Sequence, residues 1–417
     1  MDTDYTKRPV QPKTKFYEKQ LIPVIFTVIF VLIYLFPMGK INAYIPYYMI
    51  GLLFILLFVQ NGMKITIRHT FLWVTVYGLL ANFFIATAVF DYSFAWAIKT
   101  SLFFLVPFMS VCIGVVLANR YPHLKWNYIL FVILLAELIV CLLQSYGGSR
   151  GYYLISLFGS EKYTSSYYIA GTDKRALGTF GNPNLCGVGC AILALLLLNG
   201  NRNRAIRLAV LAMTAVIILL TKSRTSLVVF LLVLFLNYTK LFDKKVSLFK
   251  RAVGVAASVL FMAVAYYLFV KYVDRDISVA AMEDRFTIWR NLLANSYTTN
   301  VEKTVGKLFG LGVTRLKALE DCDNEYLYFY MSTGIIGSLI MIAEIVSVAL
   351  ASFRIEDQAD RIVCLSLIAV WFMVAISSNF FTSYMLAFVS FLYIGFALAK
   401  AAALRKQGEI HEKDPDR

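Results

Sequence analysis

Long apolar runs separated by short polar breaks set the pattern of this chain. A membrane-crossing helix takes about 20 mostly apolar residues. Twelve runs qualify: 21–38, 41–59, 71–90, 97–118, 126–144, 183–198, 205–221, 225–241, 252–272, 326–350, 362–380 and 383–403. Most are crowded with Leu, Ile, Val, Phe and Ala, whereas 183–198 is short and rich in Gly. The division between 205–221 and 225–241 rests on one polar break, Lys222-Ser223-Arg224. A single bent helix there would reverse the sense of everything downstream. The pattern predicts an all-α, polytopic integral membrane protein of about 12 transmembrane helices. Its expected order is a tail (1–20), helices 1–5 (21–144), an outer loop (145–182), helices 6–9 (183–272), a large outer loop (273–325), helices 10–12 (326–403) and a second tail (404–417). The larger loop is expected to carry short amphipathic helices. No small-residue cleavage site follows the first run, which is therefore read as a retained span.

Composition agrees. Hydrophobic residues make up 59% of the 417 and charged residues 16%, and the mean hydropathy is +0.69. Ordinary soluble domains are about 45–50% apolar and about 25% charged. A soluble globule could not hide so much apolar surface, and the chain is too apolar to be a disordered one. The net charge of +15 is read as cationic cytoplasmic loops rather than a nucleic-acid site, since no basic stripe lies on a soluble domain. With the N-terminus inside, cytoplasmic segments hold 24 of the 40 Lys and Arg residues, and short outer connections hold only Lys40, Lys99, Lys222 and Arg224. The rest lie in the two long loops, which translocate largely regardless of charge. Both termini are thus expected to be cytoplasmic. His69, His123 and His411 all fall on the cytoplasmic side of this topology. The six cysteines show neither metal-ligand spacing nor a disulfide framework. Cys186 and Cys190, one helical turn apart, read as small packing residues. No metal site and no cofactor is expected.

Function is expected in the two long loops, because connections of this length are usually functional or disordered. The loop 145–182 is rich in Tyr and Gly. Its rings suit stacking on sugars, and equally suit an interfacial belt at the headgroups. In the loop 273–325, Phe286, Ile288, Trp289, Leu292 and Leu293 recur with helical spacing, which predicts an amphipathic helix over 283–294 lying on the outer surface. Gly310-Leu311-Gly312 then breaks the chain and lets the backbone approach something closely. The acidic cluster Glu320, Asp321 and Asp323 precedes re-entry at Asn324-Glu325-Tyr326.

Arginines gather at the outer boundary: Arg175 after Lys174, Arg224, and Arg285 with Arg290. A guanidinium offers planar, paired donors that match phosphate oxygens and stays charged at any relevant pH. Single arginines at span ends also snorkel to headgroups. Asn182-Pro183-Asn184 marks a helix start, serving as a cap or an anion-binding N-terminus. Glu137 and Glu344 lie within predicted spans, where carboxylates are costly; a proton path is one use for them. Glu344 is close enough to the cytoplasmic end to reach water.

These segments together resemble the bacterial O-antigen polymerase and O-antigen ligase superfamily. The resemblance is carried by Arg175-Ala-Leu-Gly-Thr-Phe-Gly-Asn-Pro-Asn184, Ser223-Arg224-Thr-Ser226, Arg285 with Trp289, Gly310-Leu-Gly312, Asp323-Asn324-Glu-Tyr-Leu327 and Gly334-Ile-Ile-Gly337. It covers about residues 170 to 340, and the N-terminal spans match only in being apolar. In the ligase branch, the position of Asp323 typically holds a His. Its absence favours the polymerase branch, or a related capsular or exopolysaccharide polymerase, and puts the general base in doubt. The resemblance implies a metal-independent glycosyltransferase of the bacterial cytoplasmic membrane. Its donor and acceptor would be undecaprenyl-diphosphate-linked oligosaccharides, with a chain-length-regulating co-polymerase as a further partner and no nucleic acid. Arg224 with Asp323 and Glu325 are the expected catalytic residues, with Asp321 as a substitute carboxylate. Arg175, Asn182, Asn184, Arg285, Trp289, Arg290 and Asn324 are expected to bind diphosphate or glycan. Asp323 also suits a helix cap. The rival readings are a ligase transferring finished glycan to a lipid or protein acceptor, and a transporter or flippase of lipid-linked oligosaccharide.

Overall fold

Inside a bilayer there is no water to satisfy backbone groups, so apolar runs must pair their own N–H and C=O groups, and helices do this within one segment. The computed structural model describes residues 16–36, 44–60, 71–89, 93–122, 124, 126–159, 175–200, 203–239, 247–273, 279–297, 299–312, 324–378, 380–381 and 383–413. Among them every regular element is a helix. The first half contains α1 (Phe16–Leu35), α2 (Ile45–Gln60), α3 (Leu72–Leu80, continuing as a π-helix over Ala81–Val89), α4 (Phe94–Arg120), α5 (Trp126–Tyr146) and α6 (Ser149–Phe158). Then follow α7 (Pro183–Gly200), α8 (Arg204–Thr221), α9 (Arg224–Tyr238), α10 (Leu248–Val273), α11 (Val279–Ser296), α12 (Glu325–Phe353), α13 (Gln358–Ala375) and α14 (Tyr384–Lys413).

A helix lies at each of the twelve apolar runs. Among the described residues, eight helices are long and apolar enough to cross a membrane, and Leu21–Leu35, Ile45–Gln60 and Arg224–Tyr238 are shorter apolar helices. This is the build of a helical membrane protein. On α12, Leu339, Ile342, Val346 and Leu350 are 49–60% exposed. Their spacing puts them on one helix face, an apolar stripe suited to lipid. Three helical segments lie outside the runs, one of them a short π-to-α stretch over Glu302–Phe309. The amphipathic helix predicted over 283–294 is α11. The short α6 buries Ile155 and Phe158 while exposing Tyr152 and Tyr153.

The short, Gly-rich run is the centre of the bundle. In α7, 78% of the spanning window is buried, against 28% in α8 and in α12. It packs on α5, α8, α9, α13 and α14. Small residues suit such a position because they let neighbouring helices approach. The chain reverses at Lys222-Ser223-Arg224. Lys222 takes a left-handed conformation (φ 48°) and Ser223 caps α9 by accepting from Ser226 N–H. At the far end, the Arg207 guanidinium of α8 sits 5.8 Å from the Tyr238 ring of α9, so the two helices run in opposite directions along α7.

The run 326–350 is not one continuous helix. Gly334 breaks α12 with φ 68° and ψ −169°, values that cost a residue with a side chain dearly. The break frees carbonyls that Leu311 N–H (to Met331, 2.8 Å) and Gly312 N–H (to Ser332, 3.0 Å) then take up. The close approach permitted by Gly310-Leu311-Gly312 is therefore made to α12, about 9 Å along the helix from Glu325 at 1.5 Å per residue. Residues 310–312 thus pack alongside α12 rather than beyond its end. Glu344 is used structurally too: its Oε1 accepts from Trp73 N–H at 2.9 Å, at the start of α3.

At the opposite end of the bundle from Arg224, Asp357 caps α13 through the N–H groups of Ala359 and Asp360. Lys400 of α14 reaches Asp360 at 2.7 Å and Asp357 at 3.2 Å. Partial burial pushes the Asp357 pKa up, but the Lys400 hydrogen bond and charge, with the two N–H groups, outweigh it and hold it below the usual carboxylate range. A lowered folded-state pKa stabilises above the unfolded value of ~3.9 and is lost as pH falls through the folded value. Asp357→Asn is therefore expected to shrink the loss of thermal midpoint between about pH 6 and about pH 3, read by thermal unfolding in detergent.

Helices α4 and α14 pack along much of their lengths and cross at Gly114 and Gly395. A Cβ on Gly114 would strike the Leu392 carbonyl, and one on Gly395 the Val111 carbonyl. Backbone cannot move aside as a flexible side chain can. Gly395→Leu is expected to destabilise by about 1–3 kcal/mol or more. Gly51→Leu, where a Cβ meets nothing within 4 Å, should leave the thermal midpoint near wild type.

Candidate functional site

One face of α5 holds the segment that precedes α7. Glu137, Cys141 and Gln144 recur at helical spacing and are all buried. Gln144 Oε1 accepts from Leu177 N–H and Gly178 N–H at 2.8 Å each, and its Nε2 donates to the Gly178 carbonyl at 3.0 Å. Glu137 Oε2 accepts from Thr179 N–H at 3.0 Å, and Oε1 accepts from the Thr179 hydroxyl. The main chain over 177–179 lacks a helical ladder, and these two side chains supply its partners. Glu137 is thus tied to this loop rather than arranged with Glu344 as a path for protons. The signal available in the sequence was the polar stripe itself, an i, i+4, i+7 set in an otherwise apolar run.

The loop sets Arg175 and Asn184. Arg175 is only 5% exposed. Its Nε donates to the Thr221 carbonyl at 2.8 Å and its Nη2 to Asn184 Oδ1 at 3.2 Å. Ala176 N–H donates to the Leu220 carbonyl at 3.0 Å. Arg175 therefore caps the C-terminus of α8, where orphan carbonyls and the helix dipole favour a cation. Asn184 Oδ1 also accepts from the Ser223 hydroxyl at 2.8 Å, and the Ser226 hydroxyl donates to the Asn184 carbonyl at 3.1 Å. Asn182 caps α7, its Oδ1 accepting from Asn184 N–H and Leu185 N–H.

The network continues across the bundle. Thr225, beside Arg224, lies 3.0 Å from the Ser377 hydroxyl in the turn after α13. A few residues on, Phe380 N–H donates to Glu325 Oε2 at 3.1 Å and Phe381 N–H to Glu325 Oε1. Glu325 is fully buried. Expected to be catalytic, this carboxylate holds two successive main-chain N–H groups and thereby positions the α13–α14 turn. Asn324, expected to bind substrate, caps α12 by accepting from Leu327 N–H at 3.0 Å.

Arg175, Asn182, Asn184, Arg224, Asn324 and Glu325 are thereby gathered at one end of the bundle, where α7, α9 and α12 all begin. Their N-termini add positive potential there. Arg224 is partly exposed and Arg175 is buried, so Arg224 is the guanidinium of the pair with access to a ligand. Arg285, Trp289 and Arg290 lie on α11, with Arg285 and Trp289 partly exposed and Arg290 exposed. The Phe286 and Trp289 rings meet edge to face at 5.3 Å. After α11, Thr299 and Glu302 form a reciprocal capping pair. Asp321 and Asp323 fall outside the described residues, as do 160–174 of the first loop. Thr225 and Ser377 were not anticipated, since nothing in their local sequence marks a contact made across the bundle.

Comparison of the chain with protein-family models and with curated protein sequences gives no match.

Removing Gln144 leaves the Leu177 and Gly178 N–H groups without a partner, at a cost of about 1–3 kcal/mol. Gln144→Ala is expected to speed hydrogen exchange at residues 177–179 while leaving α13 unchanged, as read by mass spectrometry. Unchanged exchange at 177–179 would show that the loop is held by something else.

Proposed function

We propose that this protein is a membrane glycosyltransferase that joins polyprenyl-diphosphate-linked oligosaccharide repeat units into O-antigen, capsular or exopolysaccharide chains. The reaction takes place on the outer face of a bacterial cytoplasmic membrane. The reading carries twelve spans, both termini cytoplasmic and the Arg224 end facing outward. One observation supports it most: motif segments spread from Arg175 to Glu325 are brought together by side-chain contacts, Arg175 and Ser223 with Asn184, Thr225 with Ser377, and Glu325 with Phe380. Residues with no common job have no need to be tied together in this way.

In the proposed reaction the donor's C1–O bond to diphosphate breaks and a new C1–O bond forms to a hydroxyl of the acceptor repeat unit. The hydroxyl proton passes to a base, and polyprenyl diphosphate leaves. Charge grows on the leaving diphosphate, so fixed cationic donors that bind it more tightly as it departs lower the barrier. Arg224 takes this role, aided by the N-termini of α7 and α9. Arg175 acts through Asn184 and the α8 terminus as a positioning residue. With Glu325 committed to the α13–α14 turn, Asp323 is the carboxylate assigned to the hydroxyl proton. Arg285, Arg290 and Trp289 on α11 are assigned to the diphosphate or its sugar. A ligase would use the same donor chemistry. A flippase reading loses support from the engaged carboxylates, since Glu137 and Glu344 each hold main chain.

Arg224→Ala is expected to abolish chain growth while membrane abundance holds, leaving single repeat units on the surface acceptor in a glycan gel. Arg224→Lys should recover only part of the ladder, because an ammonium lacks the paired donors. A normal ladder in Arg224→Ala would remove that residue from the mechanism. A ladder retained on the lipid carrier but missing from its final acceptor would point to a ligase. Cysteines placed at the partly exposed positions 224 and 285 should both react with an impermeant reagent from the outer side; labelling from opposite sides would end the proposal.

A further inference from the structure

Glu137, Cys141 and Cys186 bring one carboxylate and two thiols to a single point between α5 and α7. All three are fully buried, and their ligand atoms lie within 4.8 Å of one another. Glu137 and Cys141 are one turn apart on α5 and share a face, while Cys186 comes from the first turn of α7. The two sulfurs are 3.7 Å apart. A tetrahedral ion bonded to two thiolates at ~2.3 Å holds them ~3.8 Å apart. The Cys186 sulfur is 3.9 Å from Glu137 Oε2, within a small side-chain rotation of a shared ion.

The surroundings are those of a built site. A Cβ on Gly178 would strike both Cys186 Sγ and Glu137 Oε2, and Gly178 takes φ +59°, so only glycine leaves the point clear. Thr179 fixes the carboxylate through its N–H and hydroxyl, as outer hydrogen bonds orient metal-ligating carboxylates.

We propose that Glu137, Cys141 and Cys186 bind a zinc ion that staples α5 to α7. Two thiolates and a carboxylate are a donor set for a thiophilic, borderline-soft ion rather than for Mg²⁺ or Ca²⁺. Binding displaces one proton from each thiol to solvent. The resulting site carries one net negative charge, facing the positive end of α7. The ion holds the loop that sets Arg175 and Asn184, and takes no part in the glycosyl transfer proposed above.

The test uses the full chain, purified in detergent and dialysed against a weak chelator. Elemental analysis is expected to find about one zinc per wild-type chain, and Co²⁺ exchange should give a thiolate-to-metal charge-transfer band. The Cys141→Ser/Cys186→Ser pair should lose the zinc at least tenfold and lose the band. The Cys112→Ser/Cys364→Ser pair, altering buried cysteines elsewhere, should keep both. The decisive arm is wild type, which cannot fail by misfolding. Zinc no higher than in the Cys141→Ser/Cys186→Ser chain, no cobalt band, or a Cys141–Cys186 disulfide found by peptide mapping would each overturn the proposal. None of these readings depends on whether the protein makes polymer.

Discussion

The structure depends on one constraint: a main-chain N–H inside a low-dielectric bundle must find an acceptor, and where the helix ladder stops a side chain has to supply it. Buried carboxylates and amides do this repeatedly here. Gln144 and Glu137 serve residues 177–179, Glu344 serves the start of α3, and Glu325 serves Phe380 and Phe381. Each joins a helix to a non-helical segment elsewhere in the chain. The polar residues in the apolar runs thus specify which loop meets which helix. Where no side chain is available, the backbone does the same work, as when Leu311 and Gly312 take up the carbonyls freed at Gly334.

That arrangement produces the electrostatics of the Arg224 end. Arg175 satisfies the carbonyl terminus of α8, the one helix among α7, α8, α9 and α12 whose negative pole lies there. The other three present their N-termini, capped by Asn182, Ser223 and Asn324. The C-termini of α5 and α13 also lie at this end, so Arg224, beside the starts of α7, α9 and α12, supplies the charge that favours an anion. By capping α8, Arg175 covers one of the negative poles near Arg224 without lining the surface itself.

Much of this was legible in the sequence, for physical reasons that differ by element. Hydrophobic runs report helices directly, because lipid-facing and core-facing positions are both apolar. The cap at Asn182 was readable because capping is local chemistry, whereas the cap of α12 falls on Asn324 rather than on the expected Asp323. The Lys222-Ser223-Arg224 reversal was legible as a polar break but not as a turn, since the left-handed Lys222 leaves no mark in residue type. The contacts of Glu325 were not legible. Its position before an apolar run looks the same whether its carboxylate faces a substrate or the N–H groups of Phe380 and Phe381, 55 residues away. The break at Gly334 was hidden for the same reason: a glycine in an apolar run is ordinary until another segment arrives to use the carbonyls it frees.

The fate of the carboxylates also bears on mechanism. A transporter that moves a charged head group through the bundle needs polar groups that change partners as the cargo passes. The carboxylates of Glu137, Glu325 and Glu344 are instead engaged with main chain, and releasing Glu137 or Glu325 would strand buried N–H groups at about 1–3 kcal/mol each. A bundle tied in this way is costly to open, yet well suited to hold Arg224 and its neighbouring helix termini still. Fixed dipoles and charges stabilise developing charge without reorganising at the moment of reaction. The same hydrogen bonds that close the bundle to a travelling head group therefore give its Arg224 end the rigidity that transfer chemistry at a membrane surface requires.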